Sequence, residues 1–395
     1  MTRFLSAICA SALLSAGPAF AANITATPAT YWTAIKTAKG GDVVTFAPGD
    51  YGAISLRLFS YASPVVIVAS SGVVVSSLVL DTDTNMTWRG FEVTGLYSGA
   101  GVIASGGANI RFENFHVHGS AGGSGFSLRN ANAFAIVNSE IDHLGSGIGY
   151  TDGTGVTITG NNLHDLQADG ILGSANSVLI DGNSVRDFTP TPGEHPDGIQ
   201  WYGTAATPNP TGIMITNNVV QRGSGSVIQC IFGEQGTNIT IRGNGCLGTM
   251  YNGISVSHGA NVVVDANFVQ GFADMASQLV FRDGSSNVSV TNNTLSAPIN
   301  NIASAGFSQS GNVTVPQAAI GDASALNKWL AAKGAPVVVP PVVVVDPRDA
   351  QIVALTTRAT TAEALLAAIR AQLSTANDGL AALSAKLAAV KLALQ

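Results

Sequence analysis

One short pattern constrains this chain more than any other. An apolar-x-x-Asn-x-apolar unit recurs at Ile158/Asn161/Leu163, Ile180/Asn183/Val185 and Ile215/Asn218/Val220. It returns at Ile241/Asn244/Cys246, Val264/Asn267/Val269 and Val290/Asn293/Leu295, with weaker copies at Phe112 and Ile136. The asparagines stand 22, 35, 26, 23 and 26 residues apart. Fixed periods in the twenties mean a solenoid. Period-2 alternation in short runs broken by Gly and Asn makes its coils β-strands. A second column precedes each unit: Gly101-Val102, Gly125-Phe126, Gly147-Ile148, Gly170-Ile171, Gly198-Ile199, Val227-Ile228, Gly253-Ile254 and Leu279-Val280. The apolar members of the unit should stack inward. The Asn column reads as an internal ladder at a turn, each amide bonding its neighbours' backbone.

Composition agrees with a packed β-solenoid and removes other classes. Apolar residues are 46% of the 395, charged residues only 11%, and net charge is −6. Disorder wants the opposite balance, and a nucleic-acid binder wants a basic face. No lysine occurs between Lys39 and Lys328, so chemistry there rests on His, Arg, Tyr or carboxylates. The three cysteines lack C-x-x-C and zinc spacings. Cys230 and Cys246 fall at inward positions of one coil and read equally as a disulfide or as buried thiols.

Five segments are expected. Residues 1–22 read as a secretory leader: Arg3, an apolar stretch from Phe4 to Leu14, then Ala19-Phe20-Ala21. The protein should therefore be secreted, periplasmic or on a cell surface, with no membrane span. A capping helix is expected within 23–41, the β-solenoid over 42–315, and a short helix with a Pro/Val-rich linker over 316–347. Residues 348–395 form the last segment. Its apolar residues recur in a heptad, with Ile352, Leu366, Leu373, Leu380, Leu387 and Leu394 among the a positions. That predicts a coiled coil and a homo-oligomer through 352–394.

The helix followed by Gly41-Asp42-Val43-Val44-Thr45-Phe46-Ala47-Pro48-Gly49-Asp50-Tyr51 resembles the N-terminal cap and first rung of right-handed parallel β-helix proteins of the pectate-lyase-like superfamily. That group holds secreted polysaccharide-active enzymes and phage tailspikes. The resemblance implies an all-β, right-handed parallel β-helix and a polysaccharide partner. By resemblance to tailspikes the oligomer is a trimer and virion association is open. Glu194-His195-Pro196-Asp197-Gly198-Ile199-Gln200 is similar to a His-x-Asp-Gly-Ile-Gln string found in many such proteins.

Polar side chains gather between about 143 and 229. The longest coil carries an insertion over 187–202, and long loops on a regular solenoid tend to carry function. His195 is the candidate base or acid, oriented by Asp197 or Asp169. Arg186 and Arg222 are candidate clamps for a uronate carboxylate. His164 or Tyr202 is the acid in a lyase reaction, the first expectation. Gln200, Gln229 and Glu194 complete a binding surface. A second expectation is hydrolysis by Asp169 and Asp197, with carboxyl groups on adjacent rungs. A third is a non-catalytic glycan-binding adhesin. No metal site or cofactor is assigned; calcium is an option at Asp165, Asp169, Asp187, Glu194 and Asp197.

Overall fold

Alternating short runs rich in Val, Ile and Thr cannot bury their apolar side alone, so each pairs in parallel with the runs one turn before and one turn after. The computed structural model describes residues 21–333. Within them the chain winds into a parallel β-solenoid of about 12 turns. The leader up to residue 20, most of the linker and the whole heptad segment lie outside the described residues. No helix among the described residues is long and apolar enough to cross a membrane.

Three stacks of apolar side chains fill the interior. The first runs Ile54, Leu78, Val102, Phe126, Ile148, Ile171, Ile199, Ile231, Ile254 and Leu279 through successive register pairs. The second passes through Trp88, Phe112, Ile136, Ile158, Ile180, Ile215, Ile241, Val264 and Val290. The third holds Ile141, Leu163, Val185, Val220, Cys246, Val269 and Leu295. All are buried, most of them completely. Cys230 and Cys246 form a disulfide inside this core, which settles the two readings of that pair.

The asparagine column is an internal ladder. The Asn161 backbone N–H donates to Asn183 Oδ1 at 2.9 Å, and its Nδ2 donates back to the Ile136 carbonyl at 3.0 Å. Asn183, Asn218, Asn244, Asn267 and Asn293 repeat both bonds, and Asn312 ends the run. A tight corner leaves backbone groups without strand partners, and the buried amide satisfies them. Glycine before the first stack has a steric cause. A Cβ on Gly198 would lie 2.5 Å from Val220 Cγ1 and 2.9 Å from the Cys230 carbonyl.

Two expected registers shift. Ile199 pairs with Ile231, not Ile228, because the turn at 222–226 adds residues before the strand resumes. Ile254 pairs with Leu279 rather than Val280, after an irregularity between Asn252 and Ile254. The ends differ as well. Residues 23–41 hold more than a helix: Asn23–Ala26 is a strand paired in parallel with Val43–Phe46. The helix, α1, spans only Tyr31–Thr37. Pro28 lies in the turn between them, and Tyr61 Oη donates to the Ile35 carbonyl at 2.7 Å, anchoring the cap. At the other end α2, Ser324–Ala332, buries Leu326 in a cluster with Leu247, Phe268 and Phe272.

Candidate active site

The solenoid places one residue per turn at each position, about 4.8 Å from its neighbours. Asp169 stands two residues before Ile171 and Asp197 two before Ile199, so the two aspartates occupy one column on adjacent turns. Gln229 follows by its pairing with Asp197, then Asn252, which pairs with Gln278. Aligning Ile199 with Ile228 would put Gln229 beside Gln200, but the register shift moves it into the aspartate column. Phe232 takes the place next to Gln200.

This column underlies an open cleft of about 360 Å³. Glu194 and His195 reach it from the insertion, where Pro190, Pro192, Gly193 and Pro196 hold the loop off the strand path. Met250, Tyr251, Phe232 and Arg282 complete the lining. The Tyr251 ring is half exposed, and the Arg282 guanidinium lies over the Phe232 ring at 5.6 Å.

Electrostatics single out the two aspartates. Asp197 is buried, its Oδ1 has no protein hydrogen-bond partner, and its backbone N–H donates to Asp169 Oδ1 at 2.9 Å. Burial, then the neighbouring charges of Asp169 and Glu234, push the Asp197 carboxyl up to about 8. Asp169 is raised too, mainly by burial and further by Glu194, against the pull of the Asp197 N–H and of His195. At neutral pH this column therefore presents the protonated Asp197 carboxyl, able to donate, beside the Asp169 carboxyl, whose Oδ1 accepts from the Asp197 N–H. Asn252 Oδ1, two turns on, is a second buried oxygen without a protein partner.

The structure divides the predicted site. Asp169, Asp197, Glu194, His195, Gln200 and Gln229 line the cleft; Arg186, Arg222, His164 and Tyr202 are not among its lining residues. His164 pairs with Asp142 and Arg186 on a different strand column. His164 Nδ1 lies 2.6 Å from Asp165 Oδ2, and Arg186 is ion-paired with Asp187. Arg222 meets Asp274 at 2.7 Å. These residues precede the cleft column in each coil by one corner. Asp165 and Asp187 take left-handed backbone conformations there, and the buried Leu166 and Phe188 follow them. Alternation is not carried through such a corner, so neighbours in sequence part onto different faces. Phe232, Met250, Tyr251 and Arg282 were missed; Arg282 reads in sequence as an isolated cation.

Residues 100–295 match the family model for the right handed beta helix region. The chain is a right-handed parallel β-helix protein. No curated protein matches it in sequence. Among solved structures it is similar to the pectate lyase Pel9A, at 16% identity over 76% of this chain and 82% of that one, with a TM-score of 0.42. It is similar to the periplasmic alginate epimerase AlgG at 13% identity, 71% and 76% coverage and a TM-score of 0.45. It also resembles PfbA, a surface adhesin of Streptococcus pneumoniae, at 10% identity, 74% and 87% coverage and a TM-score of 0.42.

Proposed function

We propose that the cleft binds a polysaccharide and hydrolyses its glycosidic bond with the Asp169–Asp197 pair. The observation that carries this is the pair itself: a carboxyl pushed up to about 8 next to a second one on the adjacent turn. Glycoside hydrolysis needs one carboxyl protonated to free the leaving oxygen and one ionised to act on the sugar or on water. Asp197 is the acid and Asp169 the carboxylate. His195, exposed on the insertion, and the amides of Gln200, Gln229 and Asn252 suit a ligand dense in hydroxyls. Tyr251 offers a ring for a sugar face.

A lyase is the second reading, favoured by Arg282. Its guanidinium would neutralise a uronate carboxylate in place of Arg186 and Arg222, with His195 as base. Export of the protein and trimerisation through 352–394 belong to the same proposal.

The test is a panel of neutral and acidic polysaccharides with two readouts, reducing ends and ultraviolet absorbance. Hydrolysis predicts new reducing ends without absorbance, lost in Asp169→Asn. Absorbance that His195→Ala lacks would establish the lyase. Retention on a glycan column without either signal would leave a binding protein.

A further inference from the structure

Four of the six histidines gather away from the cleft, at His116, His118, His143 and His164. Glu92, His116 and Glu140 hold equivalent positions on successive turns. Two residues further along, His118, Asp142 and His164 do the same. Period 2 turns both columns to one outer face.

The contacts there are organised around Asp142 and Glu140. His116 Nε2 lies 2.8 Å from Asp142 Oδ2. The His116 and His118 rings stack with centroids 4.0 Å apart, and His118 Nε2 lies 3.1 Å from Glu92 Oε1. Donor atoms of His116, Glu140 and Asp142 all fall within 4.8 Å of one another. Both carboxylates are also held by a further imidazole: Asp142 Oδ1 contacts His143 Nδ1, and Glu140 Oε1 lies 3.2 Å from His164 Nε2. The Asp142 side chain is only 8% exposed.

We propose that this cluster is a site for a divalent transition metal of the zinc class. The ligands are His116 Nε2, an Asp142 oxygen and the Glu140 carboxylate, with His118 turning from Glu92 to supply the fourth. Imidazole with carboxylate suits zinc, nickel or copper, whereas an all-oxygen set would suit calcium. Ligand bonds of about 2.0–2.2 Å in a tetrahedron hold donors about 3.3–3.6 Å apart. Among His116, Glu140 and Asp142 the present spacing therefore needs only small side-chain movements; His118 must also leave Glu92 to join them. The metal takes the place of the proton between His116 and Asp142. His143 and His164 supply the outer hydrogen bonds that aim ligating carboxylates. Two successive turns would be clamped by the ion, and in a solenoid each turn is supported only by its neighbours.

Zinc alone is the probe, titrated by calorimetry into the full chain purified without a polyhistidine tag and stripped with chelator. The expected result is one equivalent per chain, a higher melting temperature with zinc, and a visible spectrum of four-coordinate cobalt when Co²⁺ is used instead. His116→Gln and Asp142→Asn should each abolish uptake, while His164→Gln weakens it by roughly ten- to a hundred-fold. Absence of stoichiometric uptake by the wild-type chain overturns the proposal. So does uptake that is unchanged in folded His116→Gln and Asp142→Asn, since such binding lies elsewhere.

Discussion

Asp197→Asn is expected to lower kcat by roughly a hundred- to ten-thousand-fold, the range for loss of a positioned acid, and to leave KM nearly unchanged. The reason is the state of the side chain it replaces. With its carboxyl pushed up to about 8, Asp197 is neutral at pH 7, and asparagine matches a neutral aspartic acid in shape and charge. The variant should therefore fold and bind, and lose only the transferable proton. The wild-type rate should also fall as pH rises through about 8, where Asp197 ionises. Steady-state kinetics on the polysaccharide that the wild type cleaves would check both expectations. A variant that keeps its rate but binds more weakly would instead place Asp197 in recognition.

The largest stability effect is expected at the centre of the asparagine ladder. Asn244 is fully buried. Its Oδ1 accepts from the Asn218 backbone N–H at 2.9 Å and from Asn218 Nδ2 at 3.0 Å. Its Nδ2 donates to the Ile215 carbonyl at 2.8 Å and to Asn267 Oδ1 at 3.0 Å. Asn244→Ala strands groups on two neighbouring turns, and each buried polar group left unpaired costs about 1–3 kcal/mol. The expected loss is about 3–5 kcal/mol in denaturant unfolding, with a shallower transition as the two halves of the solenoid uncouple. Asn162→Ala, a change at a half-buried neighbour outside the ladder, should cost roughly 0.5 kcal/mol or less. Similar losses in the two variants would show that the ladder adds nothing beyond ordinary packing.

The ladder was legible in the sequence because a buried amide at a corner admits few substitutes and repeats once per turn. The second and third apolar stacks were legible because they flank each asparagine at fixed offsets, whereas the first, beyond a turn of variable length, was misaligned at Ile231 and Leu279. The site was legible only in part. Asp169 and Asp197 could be aligned because each precedes a recognisable strand start, and Glu194 and His195 because the insertion marks them. Arg282 could not. Glu234, Ser257 and Arg282 share a column. Yet Glu234 stands 16 residues after Asn218, Ser257 13 after Asn244 and Arg282 15 after Asn267. Turns of unequal length between the ladder and that face erase the period. The same corners separated Arg186, Arg222 and His164 from the cleft, although His164 stands only five residues before Asp169 and Arg222 seven before Gln229.

Hydrolysis by this pair requires Asp197 to hold its proton at neutral pH, and carbon-13 NMR of side-chain carboxyls in aspartate-labelled protein measures that directly. The expected spectrum contains one carboxyl with a midpoint near 8, absent from Asp197→Asn. Stability should follow with a definite sign. The folded chain keeps this proton up to about pH 8, whereas the unfolded chain releases it near pH 4. Folding therefore takes up a proton between those limits, and this group's contribution to stability falls as pH rises across the window. Asp197→Asn should flatten that slope. If every aspartate instead titrates below about pH 5, within the ordinary carboxylate range, no acid stands ready in the cleft and the hydrolytic reading fails.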